Sequence, residues 1–311
     1  MMFLNTIVSA RCNALVSWNR VVSNNNLRRG VIPVLIGVFL GAISPQSILG
    51  QQVGNLSEGL TFYASFDSSA DADVALGDKK VYHSTSLDRK TPLSGLPSDV
   101  VTLDSSGKWG KSLRFGKRSE IFTFYKGEGN VAVSEANLSG TISLWMKLDP
   151  QKDLEPGYVD PLQITDKAWN DSCLFLDFTK DDVPRKFRLG VFSDYRFWNP
   201  KDISWDKIAE KDRPMVVVDK PTFSADRWTH IAITWNRFNT DQTDTTAELF
   251  VDGKSMGKLS GKQKFSWNPE QLAILLGIYY TGNIDEVAVW NRTLGNAEIA
   301  AIHSSTTRLQ P

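Results

Sequence analysis

Carboxylates are the first residues to weigh in this chain, because two of them about 5–5.5 Å apart suffice to hydrolyse a glycosidic bond. On a β-strand, side chains sharing a face are two positions apart, so a working pair shows as Glu-x-Asp-x-Glu or Glu-x-Asp-x-x-Glu. No segment has that spacing. Asp177 comes nearest, with Asp181 and Asp182 beyond the end of its strand. Asp285 and Glu286 are adjacent, and adjacent side chains on a regular strand point to opposite faces. A Gly-x-Ser-x-Gly elbow and a His-Glu-x-x-His pair are both missing, and 3 histidines offer little imidazole chemistry. No catalytic residue is assigned, and the sequence leans against an enzyme.

Aromatic rings carry the stronger signal. A ring in a loop, where sheet packing does not require it, either builds a local mini-core or offers a platform for the apolar face of a sugar. Tyr158, Trp169, Trp198 and Trp205 stand in such places, with Trp267, Tyr279 and Tyr280 behind them. Residues 157–171 mix these rings with Asp, Gln and Asn, read as a rim loop, and are the first place to seek polar contacts to a ligand. Trp145 shares a strand face with Ser143 and Lys147, opposite Leu144 and Met146. Where that face is open, Trp145 joins Asp177, Arg188 and His230 in a groove; where the long 194–223 segment covers it, the ring is packing. The expected carbohydrate-binding set is therefore Trp145, Tyr158, Trp169, Asp177, Arg188, Trp198, Trp205 and His230. Trp228, Trp235 and Trp290 sit within strand patterns and are read as core or rim packing.

These side chains must be positioned by strands, since period-two alternation dominates and Gly, Pro, Asp and Asn clusters punctuate it. The expected strands are 60–66, 112–115, 121–125, 141–148, 173–179, 186–193, 228–236, 246–252, 272–278 and 284–291. Asp252-Gly253 predicts a tight hairpin turn with positive φ at both residues. The turn residues 181–184 predict that the strands on either side of them pair. One helix is expected, over 296–303, with Glu298 reaching back to the Gly295 N-cap. Ile299 and Ile302 give it an apolar stripe, so it should lie on the sandwich as a lid. Many short strands without β-α alternation predict an all-β chain: a two-sheet antiparallel jelly-roll sandwich with a short C-terminal helix.

Four blocks narrow this further: Thr141-Ile142-Ser143-Leu144-Trp145-Met146, Trp228-Thr229-His230-Ile231-Ala232-Ile233-Thr234-Trp235, Ala247-Glu248-Leu249-Phe250-Val251-Asp252-Gly253-Lys254, and Gly282-Asn283-Ile284-Asp285-Glu286-Val287-Ala288-Val289-Trp290-Asn291 followed by the helix. In this order they resemble the laminin-G-like (LamG) domain of the concanavalin A-like lectin/glucanase superfamily, over roughly residues 60–303. The resemblance implies a concanavalin A-like jelly roll and, as the family's commonest use, binding of carbohydrate. It also implies a structural calcium ion (Ca2+), at positions that here resemble Asp67 and Asp285. The alternative for Asp285 is that it accepts backbone N–H bonds at the sandwich edge. The missing carboxylate cluster departs from the glucanases of this superfamily.

Residues 1–50 contain Arg11, Arg20, Arg28 and Arg29 and no acid, with an apolar run over 31–43. This is the pattern of a signal peptide, or of an uncleaved anchor, and it predicts a secreted, periplasmic or cell-surface protein. A linker over 51–59 and a tail over 304–311 flank the domain. The 35 basic residues balance the 35 acidic ones over the whole chain, so the part beyond the leader is mildly acidic. That excludes a basic nucleic-acid surface. Cys12 lies in the leader, which leaves Cys173 alone, expected to be buried and inert. The sequence thus predicts an exported, non-catalytic, lectin-like module whose partner is a polysaccharide or glycan, with contact to a membrane only through an uncleaved leader. A protein-interaction or envelope-structural module, and less so a polysaccharide hydrolase, are its alternatives.

Overall fold

The computed structural model describes residues 55–311; the expected leader with Arg28 and Arg29, Cys12 and residues 51–54 of the expected linker lie outside the described residues. Two antiparallel sheets face each other. The front sheet runs in spatial order Met215–Val218, Phe187–Phe192, Cys173–Phe178, Val159–Thr165, Ala273–Ile278, Phe122–Lys126, Val81–Ser84 and Leu93–Ser94. The back sheet runs Lys254–Ser260, Thr246–Val251, Thr229–Phe238, Leu138–Lys147, Gly282–Trp290, Leu60–Ala64 and Val74–Ala75. Ser112–Phe115 also pairs with Gly282–Trp290 and carries Val101–Asp104 on its other side. This is the predicted all-β sandwich with its single substantial helix, Asn296–Ser304, among the described residues.

Period-two alternation builds the core. Ile142, Leu144 and Met146 point inward from the back sheet and meet Leu174, Leu176, Leu189 and Val191 of the front sheet, all fully buried. Each such side chain contributes roughly 1.5–3 kcal/mol when removed from water. The outer face of the back sheet is covered around its centre too, which is why Gly282–Trp290 is buried along its whole length. On the back sheet, Ile299 and Ile302 of the C-terminal helix lie on Tyr63, Phe250 and Trp290. The helix begins as expected, with the Glu298 carboxylate accepting the Gly295 N–H at 2.8 Å. The Asp252-Gly253 turn has φ of 49° and 73° and joins two paired strands. The strands flanking 181–184 pair in continuous register. Cys173 is fully buried, and burial pushes its thiol well above the ordinary range.

Three expectations need correction. Residues 157–171 are not simply a rim loop, because Val159–Thr165 is a central strand between Cys173–Phe178 and Ala273–Ile278. Pro161 disguises it, and the register against Cys173–Phe178 slips there: Leu162 faces Leu176 but Val159 faces Phe178. A bulge is where a sheet tolerates a residue without an N–H. The 194–223 segment does not cover Trp145; it holds a helical turn, Tyr195–Trp198, and the edge strand Met215–Val218 of the opposite sheet.

The third correction concerns Asp285 and Glu286. Asp285 faces Trp145 while Ala288 faces Ser143, so the last central strand carries one extra residue, and Glu286 sits at φ 53°. This bulge breaks the alternation. Ile284 and Val287 remain in the inter-sheet core, whereas Asp285 and Glu286 both find partners on the outer side.

Candidate functional site

The outer face of the front sheet is covered only in part, and what stays open is a groove of about 960 Å³. Its floor comes from residues of six adjacent strands, from Met215–Val218 to Phe122–Lys126. Asp177 and Arg188 stand directly opposite each other in register. The guanidinium grips the carboxylate with two bonds, Nε donating to Oδ1 at 2.8 Å and Nη2 to Oδ2. Both side chains are about 5 % exposed (5 % for Arg188, 4 % for Asp177), so the pair is a buried, forked one. Beside it, the extra residue at the Asp160–Pro161 bulge turns Asp160 to the floor, where Gln163 donates to it at 2.5 Å. Burial, and then the Asp177 charge, push the Asp160 carboxyl up to about 8, so it is neutral at pH 7 and can donate a hydrogen bond.

Aromatic rings form the walls. Tyr158 is 40 % exposed and Trp169 41 % exposed, unusual for rings so near a core. The Arg188 guanidinium lies 5.4 Å from the Tyr158 ring centre, which fixes that ring from beneath. Trp169 stands edge-on to Trp205 at 5.5 Å and to Phe175 at 6.4 Å. Trp205 is itself held by Arg213, whose guanidinium lies 4.2 Å from the ring centre. At the far wall, Asp166 accepts the Asn268 N–H at 2.9 Å through Oδ2. Its Oδ1 is buried without a hydrogen-bond donor among the described residues; the Lys167 ammonium is 4.0 Å away, out of bonding reach. Burial raises the Asp166 carboxyl above the usual range.

Five of the eight expected binding residues are thus brought together: Tyr158, Trp169, Asp177, Arg188 and Trp205. Trp198 sits one layer behind, edge-on to Phe192 at 4.9 Å and donating its indole N–H to the Asn170 carbonyl at 2.8 Å. Trp145 and His230 belong to the back sheet, so the whole sandwich separates them from Asp177 and Arg188. They are 2 % and 0 % exposed, under Trp109 and His303 of the C-terminal helix. His230 accepts or donates at Ser143 Oγ over 2.8 Å, and burial pushes its imidazole down to about 3, so it stays neutral. Asp160, Gln163 and Asp166 were not singled out individually, although they fall in the 157–171 segment; Phe124 and Phe175, also in the groove, lie on strands whose outward faces give no sequence signal.

The aspartates expected to hold calcium flank one loop. Asp285 accepts the Lys108 N–H at 2.6 Å and the Glu286 N–H at 2.9 Å. Asp67 accepts the Lys111 N–H at 2.9 Å and pairs with the Arg308 guanidinium. All four oxygens are committed to N–H donors, and no group of three or more His, Cys, Asp or Glu among the described residues could hold a metal ion. As arranged, these residues do not fit calcium, which needs six to eight free oxygen donors. Burial and the neighbouring Glu286 push Asp285 up to about 9, while the N–H donors of Lys108, Glu286 and Trp109 pull the other way.

The two facing antiparallel sheets form a jelly-roll-like sandwich. The chain belongs to the concanavalin A-like lectin/glucanases superfamily, whose laminin G family model matches residues 126–300. Among curated proteins, none matches the sequence. Similar solved structures include domain 4 of the extracellular arabinanase AbnA from Geobacillus stearothermophilus, in complex with arabinotriose: 15% identity over 79% of this chain and 98% of that one, TM-score 0.47. The receptor binding domain of botulinum neurotoxin C/D mosaic serotype is 10% identical over 81% of this chain and 52% of that one, TM-score 0.54. The binding domain of botulinum neurotoxin serotype D is 10% identical over 81% of this chain and 53% of that one, TM-score 0.53. The chain thus spans about half the length of the two toxin domains, and at these identities the likeness is one of fold.

Proposed function

We propose that this protein is an exported, lectin-like module that binds a neutral polysaccharide chain in the front-sheet groove. One observation carries the reading: two rings about 40 % exposed (Tyr158 at 40 %, Trp169 at 41 %) stand over a floor of buried polar groups. Rings of this kind stack on the apolar faces of sugars, and the floor groups bond their hydroxyls. Asp160 supplies a donor, Asp166 Oδ1 an unused acceptor, and the Asp177–Arg188 pair a rigid base for Tyr158. Around the same groove Arg89, Lys90, Lys126, Lys167 and Arg188 are interspersed with Asp88, Asp160, Asp166, Asp177 and Glu270, and this mixture of signs favours an uncharged chain over a polyanion. A volume near 960 Å³ is at the upper end for small-ligand sites and suits a chain segment rather than one sugar. A glycan array probed with the purified protein and with Trp169→Ala tests this. Binding of neutral glycans that the variant loses supports it; no glycan bound by either protein overturns it in favour of a protein-interaction module.

Asp160 and Asp177 also favour a second reading, glycoside hydrolysis. They lie on neighbouring strands in unlike surroundings: burial raises both carboxyls, the Asp177 charge raises Asp160 further, and Arg188 opposes the rise at Asp177. Release of reducing ends from a bound polysaccharide, abolished in Asp160→Asn, would support hydrolysis; stable binding without release leaves the module non-catalytic.

A further inference from the structure

The back sheet carries a second concavity, of about 330 Å³, between its outer face and the C-terminal tail. Four aromatic residues wall it: Tyr63, Trp109, Trp145 and Trp290, with Arg308 at the rim. At its base is Glu286, only 5 % exposed, which the bulge in the last central strand turns outward at φ 53°. Its Oε2 accepts the Tyr63 hydroxyl at 2.5 Å. Among the described residues, no donor reaches its Oε1. A buried acceptor with no donor, on a backbone held in a sparsely populated conformation, is the pattern of a site built for something else to fill.

The surroundings say what kind of group that is. Asp73 adds negative charge near Glu286, and the Asp67 and Arg308 charges are paired with each other. Aromatic faces attract cations, and in this same cluster the Lys108 ammonium already lies 4.2 Å from the Trp145 ring centre. A small ammonium on an apolar stem satisfies the walls and the base together. A neutral hydroxyl would satisfy only Oε1.

We propose that this cleft is a second ligand site, taking a primary alkylammonium group with Glu286 Oε1 as its counter-ion. It lies on the opposite face from the front groove and does not rest on the carbohydrate reading. The test is a titration of the full chain with n-butylammonium, read by NMR at the indole N–H groups of Trp109, Trp145 and Trp290, with 1-butanol as the uncharged control. Saturable shifts are expected at these three indoles, with affinity about tenfold weaker or more for 1-butanol and for Glu286→Gln, since a charge-assisted bond is lost in each. Should Glu286→Gln fail to fold, Trp109→Leu keeps the test alive: Trp109 is only half-buried at the rim, and its loss should weaken ammonium binding while the protein stays folded. No saturable shift at the three indoles overturns the proposal. So does an alcohol bound as tightly as the ammonium, or unchanged affinity in either folded variant.

Discussion

Arg188→Met asks whether the groove floor depends on its buried ion pair. Methionine keeps an unbranched apolar stem but removes the guanidinium. In the intact protein that group meets Asp177, with side-chain exposures of 5 % and 4 %. Once it is gone, Asp177 is a buried charge with no partner, and breaking such a pair from one side costs about 3–5 kcal/mol. For a domain of this size that lowers Tm by about 6–20 °C. Removing both charges, as Asp177→Leu with Arg188→Met, should restore most of the loss, because an apolar pair of similar volume replaces a buried ion pair at little or no cost.

The pH dependence sharpens the test. Burial raises the Asp177 carboxyl, and Arg188 opposes that rise. Without the guanidinium, the folded value climbs further above the unfolded one. Stability linked to such a group is fully present below the unfolded pKa and is lost as pH rises through the folded pKa. The single variant should therefore lose little near pH 4 and show its full deficit near pH 8. Urea and thermal unfolding of the two variants at both pH values measure this. A deficit below about 1 kcal/mol at the higher pH, the size of an exposed pair, would refute the reasoning. So would a double variant no more stable than the single one.

Trp169→Ala should weaken glycan binding by about tenfold or more in calorimetric titration, with a modest change in Tm because the ring is 41 % exposed. Glycan affinity should fall as pH rises past about 8, when Asp160 ionises and stops donating, and Asp160→Asn should make that profile flat. Calcium and chelator should leave Tm unchanged, since N–H donors hold both oxygens of Asp67 and of Asp285; a rise of Tm with calcium would contradict that arrangement.

Local chemistry was legible wherever neighbours in sequence are also neighbours in space. The Asp252-Gly253 turn, the pairing across residues 181–184 and the Gly295–Glu298 helix start all follow from residues a few positions apart. The alternation of Ile142, Leu144 and Met146 likewise settled which face goes inward, because a strand has only two faces. Aromatic density in residues 157–171 marked the groove, and Tyr158 and Trp169 do stand at its walls. What alternation cannot say is which sheet a strand joins. Trp145 and Asp177 both read as outward residues, yet they face opposite sides of the sandwich. Nor can it foresee a single added residue: the bulge at Pro161 brings Asp160 to the groove floor, and the one at Glu286 turns a second carboxylate outward beside Tyr63. Composition and period two thus determined an all-β sandwich with a buried apolar interior, while strand order and two bulges decided which polar groups share a site. The reason is physical: hydrophobic burial depends on each strand's own pattern, whereas register is a property of strands paired across long sequence separations.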